Sequence, residues 1–411
     1  MSEVKNYAWP ITAISKENYD AIVNCVKKNN DLFRNKKIMI FGAGIRGAEI
    51  SVILESIGYD RILFTDNNSE KWGGVIDKYP IISVKEALSL SKEALYLVSV
   101  EEGDSICCQL IEEGKKENKD FFYPKPDLYE RFMREFRRPI KNNILIMGDC
   151  MFEVVSFDDE NKDSLTEIMQ DKLGYENVKL LTMHGMGLPS FYHVLKAQIN
   201  CGMQPGIVVV MLNFETLTGK QHLLPRSQHT KLIREICKVS PDPDGQLAAY
   251  ARLTEERVKN IQAEFFTTNK FSSKKQGNNN RGMISDSASK MFFKLNYMYK
   301  LNPEIESLQY LIKIMRLARE KDFDVIPFVP PVNYERGREL FEDKFEQAYQ
   351  YNYDILENVI VSEGYKLLDL SHICTKEMFA HVTTPDETTN YDGRLRVASY
   401  ICDAILKIKE V

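Results

Sequence analysis

Five short apolar runs, at 143–147, 178–182, 207–212, 325–329 and 366–370, recur along the C-terminal part of the chain with helix-patterned stretches between them. Runs this short, mainly apolar and bounded by polar turns, predict strands buried on both faces. The stretches between and after them, at 164–173, 190–200, 231–239, 248–266, 305–321, 339–361 and 395–408, carry apolar residues at helical spacing and predict crossover helices. Strand and helix in alternation specify a parallel sheet covered by helices on both faces.

The N-terminal part repeats the theme on a smaller scale. Residues 1–35 predict a helical lead-in, with Tyr19, Ile22, Val23, Val26 and Leu32 at roughly helical spacing. The run KIMIF at 37–41 enters Gly42-Ala43-Gly44-Ile45-Arg46-Gly47, and a helical pattern follows through Ile57. A second strand, at 61–65, ends at Asp66, and further strands are expected at 94–100 and 120–123. A GxGxxG between strand and helix, with an acid closing the next strand, is the context that gives the motif meaning. Gly42 allows the tight turn, Gly44 lets a phosphate approach the backbone and Gly47 lets helix and strand pack closely. The helix N-terminus favours an anion, and Asp66 is placed to accept hydrogen bonds from a ribose. Only half of a dinucleotide fold is present, so an empty or assembly-mediating domain weighs as much as nucleotide binding.

Length allows two or three domains. The net charge of −5 gives no electrostatic case for nucleic acid, and no run reaches the ~20 apolar residues of a membrane span. The first residues lack a basic start followed by an apolar core, so no secretory signal is expected. Eight cysteines sit in apolar segments without paired spacing or a CxxC, which points to reduced thiols and a cytoplasmic setting. The six histidines have no HExxH-type spacing, and no metal is expected. Residues 124–141, with Pro124, Pro126, Pro139, Arg131, Arg134, Arg137 and Arg138, predict a helical linker whose basic face is solvated. The stretch 267–289, rich in Gly, Asn, Ser and Lys, predicts a mobile loop.

Chemistry-bearing residues collect at the ends of the C-terminal strands. The first runs into Gly148-Asp149-Cys150, the second into His184-Gly185-Met186-Gly187, and the third, IVVVML, into Asn213. A later block reads Asp386-Glu387-Thr388-Thr389-Asn390-Tyr391-Asp392-Gly393 and precedes a helix. In this order the blocks resemble the SGNH (GDSL-like) hydrolase and acyltransferase superfamily. The resemblance implies a flavodoxin-like three-layer α/β/α domain over 142–411. It places Cys150 at the nucleophile position, where the family has serine, Gly185 or Gly187 at the second block, and Asn213 as an oxyanion donor. The family's D-x-x-H is broken, with Thr388 or Thr389 where histidine belongs, so His381, oriented by Asp386, or His184 is the substitute base.

Residues 36–123, with Gly42–Gly47, Asp66-Asn67-Asn68 and Tyr79-Pro80-Ile81-Ile82, resemble the Rossmann-like N-terminal domain of bacterial sugar-modifying proteins. That resemblance implies a half-Rossmann parallel sheet and offers a nucleotide or nucleotide-sugar as its ligand, with no cofactor required. Together the two imply an esterase or O-acyltransferase of surface-polysaccharide biosynthesis, acting on a sugar or glycan with an acyl donor. Homo-oligomerisation is left open. Two alternatives stand beside it: an inactive SGNH-like binding or scaffold protein, and an NAD(P)- or nucleotide-sugar-dependent enzyme working through the N-terminal domain. A third arrangement keeps Cys150 as a bystander and gives acid–base work to Asp149 or to Asp386 and Glu387.

Overall fold

The structure, a computed structural model, describes residues 4–7, 11–90, 93–100, 103–140, 144–218, 225–260, 286–380 and 387–409. It is an α/β protein with two largely parallel sheets, carried by two compact units that meet in sequence between Pro126 and Asp127.

In the first unit, helices α1 (Lys16–Lys28) and α2 (Asn30–Asn35) lead in, with Ile22, Val23, Val26 and Phe33 buried. Ser15 caps α1 by accepting from the Asn18 amide. There follow β1 (Lys37–Phe41), α3 (Ile45–Ser56), β2 (Ile62–Thr65), β3 (Val75–Ile76), β4 (Tyr79–Ile82), α4 (Val84–Ser89), β5 (Ala94–Val98), α5 (Asp104–Glu112) and β6 (Phe121–Phe122). The strand order is β3-β4-β2-β1-β5-β6, parallel except for the β3–β4 pair. That hairpin was not anticipated: its strands have two and four residues, too few to show a period.

The second unit begins with α6 (Leu128–Arg137), inside the stretch expected as a linker. Its Phe132, Met133 and Phe136 are buried in the same core as Leu145 and Met147. The basic face is only partly solvated. Arg134 and Arg137 are exposed, but Arg131 pairs with Glu153 at 2.7 Å and donates to the Thr182 carbonyl, and Arg138 binds Glu135 and the Tyr175 carbonyl. Solvation therefore fails as a description of Arg131 and Arg138: their guanidinium groups reach carbonyls and carboxylates of their own unit.

Next come β7 (Ile144–Gly148), α7 (Leu165–Leu173), β8 (Val178–Thr182), α8 (Leu188–Asn200), β9 (Ile207–Met211), α9 (Thr230–Val239), α10 (Gln246–Asn260), α11 (Asp286–Asn296), α12 (Glu306–Lys321), β10 (Asp324–Val329), α13 (Tyr334–Phe341), α14 (Asp343–Ser362), β11 (Leu368–Asp369) and α15 (Tyr391–Lys409). The five strands are parallel in the order β8-β7-β9-β10-β11. Alternate residues face opposite layers. Leu145, Met147, Val208 and Val210 pack under α6, α8, α9 and α12, while Ile144, Ile146, Ile207, Val209 and Met211 pack under α7 and α15.

Two expectations are corrected. The loop expected over 267–289 gives way to helix at its end, since 286–289 form the first turn of α11; the remainder lies outside the described residues. The single helix expected at 339–361 is two, α13 and α14, broken at Glu342, whose φ of 56° lies in the left-handed region.

Candidate functional site

Because the second sheet is parallel, all its strands end at one edge, and in such sheets the crevice opens where strand order reverses. Here that point lies between β7 and β9, with β8 on the other side of β7. β7 leads into Asp149, whose Oδ1 accepts the Met151 amide at 3.0 Å and so caps the single 3₁₀ turn Cys150–Phe152. Gly148 is required by packing: a Cβ there would lie 2.2 Å from the Phe152 ring. β8 leads into Met183, whose amide donates to the Gly148 carbonyl, and then into exposed His184 and half-buried Gly185. Gly185 has a φ of 69°, a conformation that favours glycine. Gly187 caps α8 in an extended conformation.

β9 delivers Asn213 to the same edge. One amide nitrogen serves two carboxylates: Asn213 Nδ2 donates to Asp149 Oδ2 at 2.9 Å and to Glu387 Oε1 at 2.7 Å. Its Oδ1 accepts the Glu215 amide at 2.9 Å. Asp149, Asn213 and Glu387 are each 3 % exposed. The half-buried Cys150 sulfur, one Asp149 oxygen and one Glu387 oxygen lie within 4.8 Å of one another. A thiol and two carboxylates are also a donor set that a divalent cation can accept.

Burial holds the Asp149 carboxyl above its ordinary value, against the opposing pull of the Met151 and Asn213 hydrogen bonds. A second carboxylate on the same amide adds to the case for a proton within the pair, because two nearby carboxylates do not both ionise freely. The pair is anchored from behind. Arg394, 1 % exposed, donates to Asp159 Oδ2 at 2.8 Å, to the Asp163 carbonyl and to the Thr389 carbonyl, fixing the segment that carries Glu387. Asn390 caps α15, its Oδ1 accepting the Gly393 amide at 3.1 Å.

Of the residues singled out in the sequence, Cys150, Asn213, Gly185 and Gly187 come to one sheet edge. His381 and Asp386 lie outside the described residues, as does the basic stretch 274–281. Asn213 differs from the expected oxyanion donor in that both amide hydrogens are directed at carboxylates. Glu387 appeared in the sequence only as part of an acid–base alternative; its position beside Asp386 was the available signal. His229, a buried residue at the start of α9 whose ring lies near the Gly185 backbone, carried no such signal.

In the first unit, Gly42 (φ 119°) abuts Ser99, whose Oγ lies 2.5 Å from where a Cβ would stand, and a Cβ at Gly47 would come within 2.1 Å of the Gly42 carbonyl. Gly44 has open space around it and caps α3. Asp66 is engaged with the loop itself. Its Oδ2 accepts the Ala43 amide at 2.7 Å and Lys71 Nζ at 2.8 Å, its Oδ1 accepts the Asn68 amide, and these contacts hold its carboxyl below the usual range against burial, which raises it. Lys71 also donates to the Ala43 carbonyl at 3.0 Å. These contacts close the turn around Gly42–Gly44.

No protein-family model matches the chain, and no curated protein is similar to it. Among solved structures, the chain is similar to LAE5, an alpha/beta hydrolase enzyme from the metagenome of Lake Arreo, Spain, at 11 % identity and a TM-score of 0.31, over 65 % of this chain and 96 % of that one. Among the described residues, no helix is long and apolar enough to cross a membrane.

Proposed function

We propose that the second unit is a divergent, flavodoxin-like domain of SGNH type that performs acyl chemistry at Cys150, as an esterase or O-acyltransferase. The observation that carries this reading is the meeting of Cys150, Asp149, Asn213 and Glu387 at the switch point between β7 and β9. The strand order, second-first-third-fourth-fifth in chain sequence, is the flavodoxin-like one and supports the domain assignment. The sugar or glycan as acyl carrier comes from the sequence resemblance alone.

The acid pair supplies proton handling that the missing histidine would otherwise give. Glu387 takes the Cys150 thiol proton, the sulfur bonds to the acyl carbon, and the C–O bond of the ester breaks. The carboxylic acid then returns its proton to the departing alkoxide. In the second half, water or a hydroxyl gives its proton to Glu387 as it attacks the thioester carbonyl, the C–S bond breaks, and Glu387 returns the proton to the departing Cys150 thiolate. Asn213 acts as the positioning residue that holds Asp149 and Glu387 together, which leaves oxyanion binding to backbone amides of Cys150 and of the Gly185–Gly187 turn.

The test is the release of nitrophenolate from 4-nitrophenyl acetate. A stoichiometric burst that is absent in Cys150→Ala supports the reading; no burst, or one that survives the substitution, sinks it.

A further inference from the structure

The turn that carries Cys150 is pinned by groups that have no part in the acyl chemistry above. Glu153 follows that turn, and its amide donates back to the Cys150 carbonyl at 2.9 Å. Glu153 is 5 % exposed, and one of its carboxylate oxygens, Oε1, gathers donors from three elements. Arg131 of α6 reaches it at 2.7 Å, Thr166 in the first turn of α7 donates at 3.2 Å, and the hydroxyl of Thr182, the last residue of β8, donates as well. A second nitrogen of the Arg131 guanidinium donates to the Thr182 carbonyl at 3.0 Å. Arg131 thus bridges the residue after the Cys150 turn and the end of the neighbouring strand.

Stability alone is a poor reason for such a pair. Removing two charges from water offsets most of their attraction, so a buried ion pair adds little over apolar side chains of the same shape. What it supplies is direction. The guanidinium presents its donors in a rigid fork, so one arm on Glu153 and another on the Thr182 carbonyl fix the spacing between the turn and β8. Only Met151 and Phe152 separate Glu153 from Cys150, so a displaced Glu153 carries the turn with it. Acyl transfer is sensitive to displacements of that kind, because the reacting atoms must meet at about 3–3.5 Å in the right orientation.

We propose that Arg131 is a positioning residue for Cys150 that acts through Glu153. The pair locks the Cys150–Phe152 turn against the end of β8 and so sets where the thiol stands relative to Asp149 and Glu387. The catalytic consequence rests on the reading of Cys150 given above; the locking of the turn does not. The stretch expected as a linker thereby contributes to the site, since α6 precedes β7 and none of the other site residues lies on it.

The experiment uses the full chain and two readouts. Nitrophenolate bursts from 4-nitrophenyl acetate are followed over a range of ester concentrations in the parent, Arg131→Lys, Arg131→Met and the double variant Arg131→Met with Glu153→Gln. The double variant leaves no buried charge without its partner should Arg131→Met fail to fold, and melting temperatures identify the folded proteins. The burst rate at saturating ester is expected to fall about 10- to 100-fold without the pair, with the half-saturating concentration unchanged and Arg131→Lys in between. A pair that only stabilises would lower the melting temperature and leave the burst rate of the folded protein intact, and that result overturns the proposal. So does a loss confined to the half-saturating concentration. Hydrogen exchange is the second readout: peptides covering the Cys150 turn should lose protection in the double variant while those covering β9 keep it. A turn that stays protected, or one that loosens only together with β9, overturns the lock. If the parent gives no burst, the acyl reading falls and the exchange alone decides the lock.

Discussion

Replacing Asn213 with alanine tests how the acid pair is held, and its effect can be worked from the geometry. The substitution removes donations to Asp149 and Glu387 at 2.9 and 2.7 Å and the acceptor for the Glu215 amide. Hydrogen bonds to charged groups contribute about 1.5–3 kcal/mol each, so losing both costs about 3–6 kcal/mol when the acids are ionised. The cost depends on pH. Burial already raises Asp149 above its unfolded value of 3.8, and the Asn213 hydrogen bond is one of the influences that hold it down. Without that bond the carboxyl rises further.

An acid raised in the folded state binds its proton more tightly there than when unfolded. Its contribution to stability is complete below the unfolded value and is lost as pH climbs through the folded one. The Asn213→Ala penalty is therefore expected to be several kcal/mol at pH 8, where the acids are most ionised, and smaller at pH 5. Both tryptophans precede residue 73, in the first unit, so their fluorescence would miss this. Urea-dependent hydrogen exchange of peptides covering β7 and β9 isolates the second unit. A penalty below about 1 kcal/mol, or one equal at both pH values, would refute the shared-amide account.

Three further outcomes follow from other parts of the structure. Gly148→Ala puts a Cβ 2.2 Å from the Phe152 ring and is expected to cost about 1–3 kcal/mol or more by overpacking, seen as a lower melting temperature. Asp159→Asn leaves the buried Arg394 guanidinium without its charged partner at a cost of about 3–5 kcal/mol, and any acyl activity should fall with it because the Glu387 segment loosens; unchanged stability would contradict the anchoring role. His193 and His229 are both pushed down to about 4 by burial from an ordinary 6.5, so unfolding takes up protons between those values and stability falls as pH drops below about 6.5. Each shift is worth at most about 3 kcal/mol, and His193→Gln should flatten part of that acid slope in urea titrations.

The five strands of the second unit were legible because parallel strands buried on both faces leave continuous apolar runs such as Ile207–Met211, which no surface helix would carry. The order of those strands was not in the runs themselves. It entered through the blocks at their ends, where Gly148-Asp149-Cys150 and Asn213 had to share an edge. Short elements were invisible for the opposite reason: Val75–Ile76 is too brief to show alternation, and the break at Glu342 depends on one left-handed residue. At the site, residue types were legible but partnerships were not. Asn213 could be placed at the strand end, yet nothing local said that Glu387, 174 residues away, would take one of its hydrogens. Arg131 was similarly deceptive, since a basic residue on an amphipathic helix gives no sign that a buried Glu153 waits for it.

The most direct test of the central claim is peptide mass mapping after brief exposure to 4-nitrophenyl acetate and acid quench. Eight cysteines compete for the reagent. The account predicts that the acetyl thioester appears first and predominantly on the peptide bearing Cys150, and that Glu387→Gln slows its formation. An acetyl group spread over exposed Cys108 and Cys201 with Cys150 unmodified would contradict it.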